Sequence, residues 1–205
     1  GNIDQAMPEA AKQCADNGLV IPLVTAPGDF NKPDLDYADR YFAACGAAGV
    51  GHIKLGYWHW KPELHYWDYL DEIRGWMEGF AKLSEKHGVK TVIHNHSGKS
   101  MGLHSCAAMN VVKGFDPAHI GVFADVGHLG VSGEPIAMAL DIVREYLSVM
   151  AFKDLIRQRP FGGVKQGAPT GGTMRLGQGF VDWPEVVSTL KALNFDGPVS
   201  FHSEY

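Results

Sequence analysis

Val89-Lys90-Thr91-Val92-Ile93-His94-Asn95-His96-Ser97-Gly98 decides how the chain is read. The apolar, β-branched run has the composition of a buried strand, and it ends on two imidazoles and a Ser-Gly turn. Working outward, Ile120–Asp125 repeats the design and leads into Asp125-Val126-Gly127-His128. Pro198–His202 repeats it once more and leads into His202-Ser203-Glu204. Further apolar runs at 19–25, 50–55 and 148–153, with a weaker one at 173–176, bring the predicted strands to seven at most.

Helical patterns fill the intervals. They fall at about 3–17, 34–48, 66–87, 105–113, 135–146 and 183–193. In Trp67, Leu70, Ile73, Met77, Phe80 and Leu83 the apolar residues recur every three or four positions, the period of an amphipathic helix. Asp182 stands before Trp183-Pro184-Glu185 as a capping acid before a first-turn proline, and Gly88 follows His87 as a C-terminal cap.

Strand–helix alternation implies a parallel sheet with right-handed crossovers. The expected fold is therefore α/β, a TIM-type (β/α)8 barrel forming one domain over residues 1–205 and lacking the first strand and the last helix. The Gly-rich stretch 162–179 is long for a βα connection, as lids and binding loops are.

With 45% hydrophobic and 20% charged residues, the 205-residue chain has the make-up of a globular protein. Its net charge of −5 argues against a general nucleic-acid or membrane-surface binder, while leaving room for a locally basic site. Cys14, Cys45 and Cys106 are far apart and form no C-x-x-C pair, so free thiols and a cytoplasmic location are expected. No apolar run has the roughly 18 residues needed to span a bilayer.

The chemistry gathers at strand ends, where barrels build their sites. Asp125 ends a buried strand, and a carboxylate there is costly unless paired or bound to a cation. The plainer alternative has Asp125 capping the next turn. His94, Asp125 and His202 together form a two-imidazole, one-carboxylate set suited to a divalent metal: Mn, Zn, Mg or Fe. His94 and His96 share a face if the strand continues that far.

Lys153-Asp154-x-x-Arg157 follows another strand. Lys153 and Arg157 are suited to a carbonyl, carboxylate or phosphate, with Asp154 orienting one of them. Lys54 with Tyr57, Trp58 and Trp60 offers aromatic faces beside a cation, a pattern that serves sugar binding and barrel padding equally. The exposed-looking aromatics Tyr57, Trp58, Trp60, Tyr66 and Trp67 raise the prospect of a homo-oligomer interface. No G-x-S-x-G elbow and no Walker loop occurs.

Thr-Val-Ile-His94-Asn-His-Ser-Gly, Asp125-Val-Gly-His128, Phe152-Lys153-Asp154, Leu176-Gly-Gln-Gly-x-Val-Asp-Trp and Phe195-Asp-Gly-Pro-Val-Ser make the chain resemble the xylose isomerase-like barrel superfamily. The similarity runs from about residue 15 to the end and lies with the sugar phosphate isomerase/epimerase and endonuclease IV-like group. It implies a divalent metal held by a glutamate, an aspartate, a histidine and a second glutamate. Asp125 matches the aspartate. His128 matches a histidine that touches substrate in epimerases and metal in the nucleases, and Arg157 matches a substrate-binding arginine. His94 and His202 stand where the glutamates are expected, and Ala151 where a histidine is.

These readings imply a divalent-metal-dependent isomerase or epimerase, or a related enediolate-forming lyase, acting on a sugar, sugar phosphate or polyol. His94, Asp125 and His202 are the expected metal ligands. His128, Arg157, His96, Lys54 and Trp58 are expected to bind substrate, and Lys153 and Glu204 to move the proton. The alternatives are a non-catalytic sugar- or partner-binding barrel and an endonuclease IV-like phosphodiesterase. A carbohydrate substrate is the expected partner, with neither nucleic acid nor membrane.

Overall fold

A computed structural model describes residues 3–158 and 170–204. Its elements follow in order as α1 (Ile3–Asp16), β1 (Leu23–Thr25), α2 (Leu35–Ala47), β2 (His52–Lys54), α3 (Tyr66–His87) and β3 (Lys90–His94). Next come α4 (Ser105–Val112), β4 (Ile120–Asp125), α5 (Val126–Val131), α6 (Ile136–Ile142) and β5 (Leu147–Phe152). The chain continues through β6 (Asp154–Gln158), β7 (Thr170–Met174), α7 (Trp183–Ala192) and β8 (Val199–Phe201).

Six strands pair in parallel in the order β1-β2-β3-β4-β5-β8. Neighbouring strands lie about 4.8 Å apart, so a flat sheet would hold β1 and β8 roughly 24 Å from one another. Yet Thr25 at the end of β1 and His202 just past β8 line one cavity of about 210 Å³. The sheet curls as a barrel wall does.

The core has two compartments. The larger joins the convex sheet face to the helices through residues such as Ile53, Ile93, Val122 and Met150. On α3 the predicted stripe Leu70, Ile73, Met77, Phe80 and Leu83 is buried into it, whereas Trp67 at the helix start is 57% exposed. Gly88 takes the left-handed conformation (φ 66°) as the C-cap, and its N–H donates to the Ser84 carbonyl.

The smaller compartment lies inside the curl and consists of Val92, Phe123, Val149 and Ala151, with Leu23 packed against them. Side chains alternate across a strand, so the residue two places further on points to the same side. Leu23 leads to Thr25, Val92 to His94, Phe123 to Asp125 and Ala151 to Lys153. A hydrophobic layer is thus capped by a polar one.

Three expectations need correction. The weak strand at 173–176 does not join the sheet: β7 pairs antiparallel with β6 in a separate hairpin. Glycines at 171 and 172 give it little to pack between layers. The strand expected over 19–25 begins only at Leu23, leaving Leu19 and Val20 exposed. Finally, Asp125 opens a short helix, α5, that the apolar pattern did not reveal.

Candidate metal centre

Asp125 is fully buried and uses both carboxylate oxygens. Oδ1 accepts the backbone N–H of His128 at 3.1 Å and caps α5. Oδ2 faces the imidazoles: His94 Nε2 at 3.3 Å, His202 Nδ1 at 3.4 Å and His128 Nε2 at 3.9 Å. Oδ1 fills the helix-cap role, and Oδ2 is the oxygen left facing the imidazoles.

The strand end is fixed by Asn95. Its Oδ1 accepts the Asp125 N–H at 2.6 Å, and its Nδ2 donates to the Asp125 carbonyl at 3.3 Å. Gly127 permits α5 to run close to the end of β5, since a Cβ there would lie 2.8 Å from the Lys153 carbonyl oxygen.

His94 stacks on Phe123 with ring centroids 4.6 Å apart, and its Nδ1 meets the Tyr57 hydroxyl at 2.5 Å. Tyr57 therefore sets the ring's orientation, as outer partners of metal-binding histidines do. Burial pulls His94 down to about 4 against the raising effect of the Asp125 carboxylate. Burial likewise pulls His128 down to about 3. Burial alone would raise Asp125, but the His202 and His94 contacts lower it further and keep it ionised. Neutral His94 and His128 beside an ionised carboxylate are protonation states that suit a metal.

One ligand atom each from His94, Asp125 and His202 lies within 4.8 Å of the others. His128 Nε2 is buried without a hydrogen-bond partner among the described residues. An orphaned imidazole nitrogen beside that cluster is chemistry a cation would satisfy, so the donor set fits a divalent metal.

The remaining expected residues divide. His96 lies beyond the end of β3, its ring tilted against that of His128 with centroids 3.9 Å apart, and still borders the cavity. Lys54, Lys153 and Glu204 border it as well, and Lys153 Nζ donates to Glu204 Oε2 at 2.7 Å. Trp58 does not: it is buried in the main core with its Nε1 donating to the Asn31 carbonyl. Its place is taken by Tyr57, the aromatic before it. The Arg157 side chain lies outside the described residues.

Asp154 is expected to orient Lys153 or Arg157; Lys153 pairs with Glu204 instead. Asp154 is buried and accepts N–H bonds from Leu155, Gly177, Gly179 and Val181 and from the Trp183 indole. It holds the segment that leads into α7. Asn95 and Ser97, whose Oγ meets His128 Nδ1 at 2.9 Å, escaped the sequence reading as site residues, and Tyr57 entered it only as one of several aromatics beside Lys54. Only their position after strand ends marked them.

Residues 2–205 match the family model described as xylose isomerase-like TIM barrel. No curated protein matches the chain in sequence. Among solved structures, 3-keto-D-glucoside 4-epimerase from E. coli is similar with a TM-score of 0.77 at 15% identity, over 98% of this chain and 78% of that one. A D-tagatose 3-epimerase-like protein gives 0.75 at 16%, over 97% and 76%. The IOLI protein with a bound zinc gives 0.76 at 16%, over 97% and 72%.

Proposed function

The chain belongs to the xylose isomerase-like TIM barrel family, and from that premise we propose that it is a divalent-metal-dependent isomerase or epimerase of a sugar or sugar derivative. One observation carries the reading: His94 Nε2 and His202 Nδ1 converge at 3.3 and 3.4 Å on one oxygen of a fully buried carboxylate. Similar folds include a sugar epimerase, an epimerase-like protein and a protein with a bound zinc, which supports it.

In this proposal His94, Asp125 and His202 hold the ion, with His128 beside them. When bound, the cation supplies Lewis-acid polarisation of a substrate carbonyl and its neighbouring hydroxyl. His128 and His96 position substrate oxygens at the cavity wall. Glu204, kept ionised by its hydrogen bond from Lys153, takes the proton from the carbon next to the carbonyl. Lys153 then stands within reach to donate to the oxygen on which charge develops. The described residues hold one cluster of three ligands, which favours this reading over a phosphodiesterase that needs several ions.

The test pairs metal analysis with solvent exchange. Purified protein should carry about one divalent ion, and a His94→Ala, Asp125→Ala double variant none. With Mn²⁺ and a panel of ketoses in D₂O, deuterium should enter beside the carbonyl. Glu204→Gln should slow that entry roughly 10²–10⁴-fold with metal content unchanged. Equal metal in both proteins, or no exchange with any ketose, sinks the reading.

A further inference from the structure

Lys54 ends β2 pointing into the polar layer of the cavity, and only 7% of the residue is exposed. Its Nζ sits 3.9 Å from the centroid of the Tyr57 ring. Among the described residues it has no hydrogen bond and no salt bridge. The site's two carboxylates are engaged elsewhere, Asp125 with histidines and Glu204 with Lys153. Residues 159–169 contain no acid that could serve instead. A buried ammonium without a counter-charge is expensive, and burial draws Lys54 down to about 8.

We infer that Lys54 is the receptor for an anionic group on the substrate, so that the site takes a sugar acid or sugar phosphate in preference to a neutral sugar. The inference rests on reading this cavity as the sugar site. The charges support it. The Lys153–Glu204 pair is neutral as a unit, and a divalent ion on Asp125 leaves one further positive charge. Lys54 adds another, which makes the loaded cavity cationic. An anionic group at Lys54 supplies the missing partner, in a setting where charge-assisted bonds are strongest.

The experiment compares three probes built on one skeleton: glucitol, gluconate and glucitol 6-phosphate. Binding is measured by calorimetry on wild type and Lys54→Met, each both Mn²⁺-loaded and EDTA-treated. At least one anion should bind roughly 10- to 100-fold tighter than glucitol, as a hydrogen-bonded charge pair provides. Which anion wins tells carboxylate from phosphate. In Lys54→Met the preference should collapse while Mn²⁺ affinity is unchanged. The variant's thermal midpoint should rise, because an uncompensated buried charge has been replaced by an apolar stem of similar length. The inference is overturned if neither anion binds, if all three probes bind alike, or if the preference survives in Lys54→Met. A lower midpoint accompanying lost preference also overturns it, because that marks a structural lysine. Failure of Mn²⁺ to bind wild type removes the metal reading alone, since the EDTA arm still reports the anion preference.

Discussion

Asp125 accepts the backbone N–H of His128 through Oδ1 at 3.1 Å, while the Nε2 of the same histidine stands 3.9 Å from Oδ2 without a hydrogen bond among the described residues. One oxygen shapes the backbone and the other faces the site. The two jobs separate by mutation. Asp125→Asn keeps a capping side chain and removes the charge, so metal content should fall to background while the melting temperature stays near wild type. Asp125→Ala removes both, and losing the cap should cost a further ~1 kcal/mol of stability. Metal analysis beside thermal denaturation of both variants checks this, and retention of metal by Asp125→Asn would contradict it.

Acid should destabilise the metal-free protein well above the usual carboxylate range. Burial holds His94 near 4 and His128 near 3 in the folded state, against 6.5 for the free imidazole. Below pH 6.5 the unfolded chain therefore binds protons that the folded chain refuses, and stability falls as pH falls. With both histidines contributing, the slope approaches about 2.7 kcal/mol per pH unit around pH 5 and eases as His94 itself titrates towards pH 4. Urea midpoints between pH 7 and 4 measure it. A flat profile for the wild type, or an unchanged slope in a His128→Ala variant, would disprove it.

Tyr57 touches His94 Nδ1 rather than the cluster itself. Tyr57→Phe should leave the fold intact and lower metal affinity roughly 10- to 100-fold, the usual effect of deleting an outer partner. Competition with a chromophoric chelator gives the number. Unaltered affinity would show that Phe123 stacking alone orients the ring.

Asp154 gathers three backbone N–H groups and an indole from residues 177–183. Gly179 fits against it because a Cβ there would collide with Oδ1. Asp154→Ala should cost roughly 2–5 kcal/mol, since several buried donors lose their acceptor together. Hydrogen exchange should accelerate first at Gly177, Gly179 and Val181. Protection spread evenly over the chain would argue that the segment holds itself.

Much of the fold is legible in the sequence because it depends on short periods. The stripe on α3 follows from its 3.6-residue repeat, and Gly88 and Asp182 cap where composition says they should. The misreadings are also physical. At 173–176 a run of only four residues has no period to tell a sheet strand from a hairpin strand. Trp58 and Tyr57 are consecutive, and composition cannot say which of two neighbours faces the core and which the cavity.

By itself the sequence determined that His94, Asp125 and Lys153 stand at the ends of buried runs and face the same way as the apolar residue two places earlier, and that His202 ends the last short run. That follows from the two-residue repeat of a strand. The motifs also carried the family. Only the tertiary structure decided that both histidine nitrogens meet one Asp125 oxygen, that Tyr57 rather than Trp58 joins them, and that Lys54 faces the cavity without a counter-charge among the described residues. Those facts depend on the curl of the sheet and on residues 30 or more positions apart, such as Tyr57 and His94 or His94 and Asp125. No local pattern encodes such distances.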